Sequence, residues 1–279
     1  MDRIPFRKMH GAGNDFVVLD QRQGGFEIDA AGAVAIADRH RGIGCDQVVL
    51  IEKRRNTRTN AFVRFLNPDG SEAGACGNGT RCVASLIAAE RGLLSLAIET
   101  ISGLLRVEML ADGRVSVDMG PARIGWREIP LAREMDTLHV DLAAGPLADP
   151  VCTNMGNPHA TFFVDDAEAV DIARLGPELE HDRLFPERAN IGVASLKDGV
   201  IRLRVWERGT GLTLACGSGA CAALVAASRR GLCGRAADVI VDGGSLHIEW
   251  LADGHVLMTG PVAMSFEGTF DAALLGGPR

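Results

Sequence analysis

The chain has 279 residues, of which 47% are hydrophobic and 23% are charged, with a formal net charge of −7. These values are typical of an ordinary globular protein of two domains of about 140 residues each. The negative charge and the absence of a basic run argue against nucleic acid or an anionic membrane surface as a partner.

The seven cysteines are an odd number and lack the close pairing of a disulfide scaffold. The first ten residues contain no apolar core of a signal peptide, and no segment is long and apolar enough to span a bilayer. We therefore expect a cytoplasmic protein whose thiols are reduced.

The first half of the chain predicts a strand, a turn and a helix in succession. Apolar residues alternate over Ala61–Leu66, which indicates a strand. The turn sequence Asn-Pro-Asp-Gly follows at residues 67–70. Residues 80–91 are rich in alanine and apolar on nearly every face, so we expect a central, buried helix that ends at Gly92.

A β-hairpin follows this helix. Residues 104–110 and 114–119 flank the sequence Ala-Asp-Gly, which is a strong hairpin signal. The second half repeats the same order of elements. They are a strand over 201–206, a turn over 208–211, a helix over 220–230 that ends at Gly231, and a hairpin over 246–251 and 255–259.

The two halves also share a motif that is centred on a cysteine. Residues 75–79 read Ala-Cys-Gly-Asn-Gly and recur 140 positions later, at 215–219, as Ala-Cys-Gly-Ser-Gly. We therefore expect two pseudo-symmetric α+β domains, 1–121 and 122–265, each a mainly antiparallel sheet wrapped around a central helix, with an active site in the cleft between them. The tail, residues 266–279, is expected to pack back on the first domain.

Cys76 and Cys216 each precede a helix that begins with glycine. The amide groups at a helix N-terminus carry partial positive charge, so a thiol placed there should ionise more readily, and a substrate carboxylate can bind the same amides. Two such thiols facing each other would place a sulfur on either side of one carbon. That arrangement suits an acid and a base acting on opposite faces.

The simplest alternative is that the cysteines are buried structural residues, as most are. We expect that role for Cys45, Cys82, Cys152, Cys221 and Cys233. The duplicated positions of Cys76 and Cys216 argue against it. Neither a zinc spacing nor a complete dinucleotide glycine motif is present, so we expect no metal and no cofactor.

Two polar segments stand in corresponding places, residues 10–15 and 154–159, and each leads into an apolar stretch. Taken alone, Asn14 and Asn157 are most simply turn residues. His159 alone is most simply a structural histidine, although histidine titrates near neutrality.

Eight segments of the chain carry distinctive motifs. They are 9–16, 39–47, 67–72, 75–82, 155–159, 185–192, 206–209 and 215–221. On these segments the chain resembles the diaminopimelate epimerases over essentially its whole length. The proline racemases share the wider fold family, but they would not be expected to carry the full set of motifs.

The resemblance implies a diaminopimelate epimerase-like fold and a cofactor-independent epimerase that converts L,L-diaminopimelate to the meso form, in lysine and peptidoglycan precursor synthesis. It makes Cys216 the base at the L centre and Cys76 the acid, and His159 and Glu207 the groups that tune the thiols. The positions that match substrate contacts are Asn14, Gln47, Asn67, Gly77, Asn78, Asn157, Asn190, Glu207, Arg208, Gly217 and Ser218.

Arg208 is the natural clamp for the second, non-reacting carboxylate, because a guanidinium binds a carboxylate through two parallel hydrogen bonds. A proline or hydroxyproline racemase would use the same pair of cysteines with little need for this clamp. The chain could instead be an amino-acid-binding module without catalysis, or a thiol-redox protein, although a redox protein would normally carry Cys-x-x-Cys. Family precedent suggests a homodimer.

Overall fold

The computed structural model describes residues 3–276, so residues 277–279 of the predicted tail lie outside the described part of the chain. The chain divides into two compact units. One combines the residues up to Val117 with those from Gly260 onward, and the other is Asp118–Thr259.

The described residues form nineteen strands, four α-helices and two 3₁₀-helices. The strands are β1 Arg3–Gly11, β2 Asn14–Asp20, β3 Gln47–Glu52, β4 Ala61–Leu66, β5 Glu72–Ala73, β6 Ser95–Thr100, β7 Gly103–Met109, β8 Val115–Pro121, β9 Ala143–Ala144, β10 Leu147–Ala148, β11 Val151–Asn154, β12 Pro158–Phe163, β13 Asn190–Lys197, β14 Val200–Glu207, β15 Gly211–Leu212, β16 Ala236–Val241, β17 Gly244–Trp250, β18 His255–Gly260 and β19 Ala263–Asp271. The α-helices are α1 Ala30–Ala37, α2 Gly77–Arg91, α3 Ile172–Glu180 and α4 Gly217–Arg229, and the 3₁₀-helices are Ala167–Ala169 and Ala272–Gly276.

The two units repeat one pattern of strand pairing. In the first, β1 and β2 form a hairpin, β2 lies parallel to β3, and β4 is antiparallel to β3 and parallel to β6, which continues antiparallel into β7 and β8. In the second, β11 and β12 form a hairpin, β12 lies parallel to β13, and β14 is antiparallel to β13 and parallel to β16, which continues antiparallel into β17 and β18. The duplicated α+β architecture is confirmed.

The first unit gains one further strand from the C-terminal region. β19 runs antiparallel to β1, with Arg3 opposite Asp271 and His10 opposite Ala263. Phe270 and Ile4 are buried together in the core of this unit. This pairing ties the two ends of the described chain into one sheet.

A mostly apolar helix lies in the core of each unit, as the sequence predicts. Every residue of α2 from Gly77 to Ala84 is buried, and ten residues of α4 are buried. The helix α2 ends at Gly92, which adopts the left-handed conformation with φ 66°. Both helices begin three residues earlier than expected, directly after Cys76 and Cys216.

Each unit also contains a second helix that the sequence analysis did not predict. Asp29 caps α1 by accepting a hydrogen bond from the amide of Gly32 (2.8 Å). Asp171 caps α3 in the same way, by accepting a hydrogen bond from the backbone amide of Arg174 (3.2 Å). The picture of one helix per domain is therefore incomplete. Within residues 3–276, no helix is both long and apolar enough to cross a membrane.

Candidate active site

The two duplicated cysteines are the N-cap residues of α2 and α4. Gly77 and Gly217 are the first residues of these helices. The first amides of a helix have no acceptor within the helix, so they can bind an anion or a sulfur atom. In the first unit the Cys76 sulfur accepts a hydrogen bond from the amide of Gly79 at 3.4 Å.

Asn14 links the β1–β2 hairpin to the start of α2. Its Nδ2 donates to Oδ2 of Asp46 at 2.8 Å. Because a carboxylate only accepts, this contact fixes the amide with Oδ1 on the opposite side. That oxygen accepts from Nδ2 of Asn78 at 3.2 Å and lies 4.0 Å from the sulfur of Cys76. Asn14 thus presents an acceptor to the thiol.

Asp46 is held in turn by a charged network. Arg39 bonds both Asp15 and Asp46 at 2.7 Å, and Lys8 pairs with Asp15 at 2.5 Å. Burial would raise the pKa of Asp15, but the hydrogen bonds from Arg39 and Lys8 outweigh it and lower the pKa to about 2. These ion pairs hold the Asp46 carboxylate in place, and Asp46 in turn holds the Asn14 amide in one orientation.

Gln47 and Asn67 form a second polar pair in the first unit. Gln47 begins β3 and Asn67 follows the antiparallel strand β4, so the two side chains meet at one end of this strand pair. Nε2 of Gln47 donates to Oδ1 of Asn67 at 2.8 Å, and Nδ2 of Asn67 donates to Oγ of Ser71 at 3.0 Å. The structure therefore brings these two predicted ligands into contact.

In the second unit, His159 lies on β12 opposite Asn190 of β13. His159 is buried, with 1% of its surface exposed. Its Nε2 lies 3.0 Å from both Oδ1 of Asn157 and Oγ of Ser218. Burial, assisted by the charge of Arg208, lowers the pKa of His159 to about 3, so the ring is neutral near pH 7. The acceptor Oδ1 of Asn157 requires the ring proton to be on Nε2.

Cys216 is buried, and its sulfur lies 3.6 Å from Oγ of Ser218. Burial and the nearby carboxylate of Glu207 raise the pKa of the thiol well above its usual value, although the bond from Ser218 acts in the opposite direction. The expectation that this thiol ionises more readily is therefore wrong for this conformation. Desolvation and a neighbouring negative charge outweigh the helix N-terminus.

Glu207 and Arg208 are adjacent but face different partners. The carboxylate of Glu207 contacts the Cys216 thiol and accepts a hydrogen bond from the hydroxyl of Thr213. The backbone amide of Arg208 donates to Oδ1 of Asn190 at 3.0 Å, and its guanidinium donates to the carbonyl of Glu187 at 2.9 Å. The second unit thus groups its predicted site residues around the start of α4 and the end of β14.

All seven cysteines are present as thiols. Those expected to be structural are buried, with one exception. Cys233 is half-buried, so the prediction of a buried thiol is wrong at this position. Burial raises the pKa of Cys45, Cys82 and Cys152 to about 12 in each case.

Within residues 3–276, no group of three His, Cys, Asp or Glu side chains is arranged to hold a metal.

Sequence reasoning assigned no role to Asp46, Thr213 or Glu180. Asp46 lies beside Gln47 inside a segment that matches the family, and that position was the available signal. No motif marks Thr213 or Glu180, because the contacts of each are formed only when the chain folds. Thr213 bonds Glu207, and Glu180 bonds Trp206 and Gly209.

The fold is similar to those of several solved structures. One is a probable proline racemase from Agrobacterium radiobacter with bound carbonate, which is 17% identical, has a TM-score of 0.70, and covers 98% of this chain and 96% of its own. Another is a hydroxyproline epimerase from Agrobacterium vitis with bound trans-4-hydroxy-L-proline, which is 16% identical, has a TM-score of 0.68, and covers 98% and 95%. The chain therefore has the same fold as these two solved structures.

Sequence similarity identifies the family to which the chain belongs. The family model for diaminopimelate epimerase matches residues 6–125 and 151–265. The diaminopimelate epimerase of Rhodospirillum centenum is 62% identical over 98% of this chain and 94% of its own. That of Acidiphilium cryptum is 60% identical over 97% and 98%. The chain belongs to the diaminopimelate epimerase family.

Proposed function

We propose that this chain is a cofactor-independent isomerase that interconverts L,L-diaminopimelate and meso-diaminopimelate, with Cys76 and Cys216 as its acid/base pair. The observation that carries the proposal is that each cysteine is the N-cap of the central helix of its unit. Family membership supplies the substrate class.

The reaction must remove a weakly acidic α-proton from an amino acid. One cysteine, as thiolate, takes this proton, and the other, as thiol, delivers a proton to the opposite face of the same carbon, which inverts it. The roles exchange in the reverse direction. The carbanionic transition state is stabilised by the helix-start amides that hold the adjacent carboxylate. Gly77 with Asn78, and Gly217 with Ser218, supply these amides.

The thiol of Cys216 must lose its proton before it can act as a base. Burial and Glu207 raise the pKa of this thiol and so hold it protonated, and the Ser218 hydroxyl lies beside the sulfur. His159 donates its Nε2 proton toward Ser218 and Asn157, so the Ser218 proton is free to point to the sulfur. Ser218 therefore stabilises the thiolate once it forms, and Glu207 opposes its formation.

The remaining residues hold the substrate. Arg208 binds the second carboxylate through its planar guanidinium, positioned by its bonds to Asn190 and Glu187. The other proposed ligands are Asn14, Gln47, Asn67, Asn78, Asn157 and Asn190. We further propose that the enzyme works in the cytoplasm as a homodimer, in lysine and peptidoglycan precursor synthesis.

The test is proton NMR of L,L-diaminopimelate with the reduced enzyme in D₂O, with L-proline in a parallel tube. The expected result is loss of the α-proton signal, appearance of the meso isomer, and no exchange with proline. Exchange with proline alone would assign the chain to the racemases. No exchange with either substrate from folded protein would favour an amino-acid-binding module.

A further inference from the structure

Glu180, the last residue of α3, carries a buried carboxylate that the reaction does not use. Its side chain is 4% exposed. Trp206 Nε1 donates to Oε2 at 2.8 Å, the amide of Gly209 donates to Oε1 at 2.9 Å, and Arg188 donates to Oε1 at 3.3 Å. A buried carboxylate needs such donors, and here three separate groups supply them.

These donors lie on both sides of Arg208. Trp206 and Gly209 flank the pair Glu207–Arg208, at the end of β14 and in the turn that follows it. Arg188 belongs to the segment that leads into Asn190, and the amide of Ala189 in that segment donates to the backbone carbonyl of Glu180 at 3.3 Å. Glu180 thus ties together the two segments that hold Arg208.

Arg208 itself is bound between the same two segments. Its amide donates to Asn190, and its guanidinium donates to the carbonyl of Glu187. Arg188 has a φ of 59°, a left-handed conformation that is uncommon outside glycine, so the turn before Asn190 depends on tertiary contacts to persist. The Glu180–Arg188 pair is one of these contacts.

The helix that carries Glu180 also packs directly on Trp206. A Cβ added at Gly176 of α3 would collide with the indole, so the close approach requires glycine there. The indole is therefore held by packing on one side and by Glu180 at Nε1. This arrangement leaves the end of β14 little freedom to move.

We infer that Glu180 is a positioning residue that fixes Arg208 for recognition of the second carboxylate of the substrate, and so contributes to specificity without touching the substrate. This inference rests on the proposed function. Loss of a positioning residue should weaken substrate binding specifically, whereas loss of a residue that only stabilises the fold should lower the free energy of unfolding and leave substrate affinity unchanged.

The test replaces Glu180 by glutamine, which keeps the shape but sets an amide donor against at least one of the three donors. The unmatched buried donor should displace the segments that hold Arg208 and so weaken binding of the second carboxylate. KM for L,L-diaminopimelate should therefore rise about tenfold, with kcat within about twofold of wild type. The matched control is Glu168→Gln, which removes an exposed carboxylate that pairs with Arg202 and should leave both constants unchanged.

A second readout does not depend on turnover. Calorimetric titration of L,L-diaminopimelate into the Cys216→Ala protein, with and without Glu180→Gln, should show a Kd that is about tenfold higher in the double variant. If Glu180→Gln does not fold, Trp206→Phe, which removes the indole donor to Glu180 together with part of the ring that packs on α3, should raise KM in the same sense.

A folded Glu180→Gln protein with KM and Kd unchanged would overturn the inference while leaving the proposed function intact. So would a fall in kcat with no change in KM. If Trp206→Phe is the only folded variant, an unchanged KM would overturn it as well. Lack of α-proton exchange by the wild-type enzyme would instead reject the proposed function.

Discussion

The carboxylate of Asp46 orients the side-chain amide of Asn14. The 2.8 Å bond from Nδ2 of Asn14 to Oδ2 of Asp46 leaves Oδ1 facing Cys76 and Asn78. An acceptor beside a sulfur favours the thiol, whereas a donor favours the thiolate. Asp46 therefore determines which end of the Asn14 amide faces the Cys76 sulfur, which also accepts a hydrogen bond from the amide of Gly79.

Asp46→Asn should release this constraint, because an asparagine can donate to Oδ1 of Asn14 and let its amide rotate. We expect α-proton exchange to fall about tenfold, the cost of one misplaced and partly buried hydrogen bond. Cys76 should react faster with iodoacetamide at a fixed pH, because the rotated amide of Asn14 can donate to its sulfur. Mass spectrometry of the alkylated peptide measures the reaction at Cys76. Asp112→Asn, at an exposed hairpin carboxylate, serves as the control. Unchanged alkylation would argue against the orienting role.

Cys76→Ala and Cys216→Ala should each abolish epimerisation, because inversion requires a base on one face and an acid on the other. The α-proton NMR assay measures this loss. Cys233→Ser, at the half-buried cysteine, should retain full activity. Near-native turnover by either single alanine variant would reject the two-thiol mechanism.

Arg208→Lys should raise KM and weaken discrimination for a diamino-dicarboxylate, since an ammonium cannot form the two parallel bonds of a guanidinium. Steady-state kinetics with L,L-diaminopimelate, and exchange measured with an amino acid that lacks the second carboxylate, test this. Arg202→Lys, in an ion pair with Glu168, is the matched control. KM and selectivity that match wild type would show that Arg208 is not the clamp.

Glu207→Gln should lower the pKa of the Cys216 thiol. Burial is the larger cause of the raised pKa and remains, but the negative charge that opposes the thiolate is removed. The pH midpoint of iodoacetamide alkylation at Cys216, followed by mass spectrometry, should therefore move down, and the change should be absent in Glu187→Gln. A midpoint that stays or moves up would contradict the assigned effect of Glu207.

Asp15→Asn should destabilise the protein in a pH-dependent way. The folded-state pKa of Asp15 is lowered from 3.8 to about 2, so the stabilisation is present above the unfolded value and is lost as pH falls through about 2. The free energy of unfolding should drop by about 2 kcal/mol near neutral pH. Urea denaturation at several pH values measures it, and a difference that persists below about pH 2 would contradict the linkage.

Local patterns in the sequence predicted much of the fold. The strand predicted at Ala61–Leu66 has those bounds in the structure, because alternation of apolar residues is a local signal. The repeated cysteine motif predicted two equivalent helices, and Gly92 predicted where α2 ends. The helices α1 and α3 were missed for different reasons. The eight residues of α1 are all small or apolar, so its sequence shows no alternation of apolar and polar faces. The buried residues of α3 do recur at helical spacing, but the helix is only nine residues long and contains Gly176 and Pro177, which disfavour a helix.

The roles of the proposed ligands stay predictions. Their surroundings show that the ionisation of a thiol and the long-range contacts of a side chain could not be predicted from the sequence. A helix N-terminus next to Cys216 suggested an easily ionised thiol, and burial with Glu207 reverses that direction. The contacts of Asp46 with Asn14 and of Glu180 with Gly209 join residues about 30 positions apart. Sequence alone determined which residue types and which turns are available, because these depend on near neighbours. Only the tertiary structure decided their charges and orientations, because desolvation and hydrogen bonding depend on groups that the fold brings together.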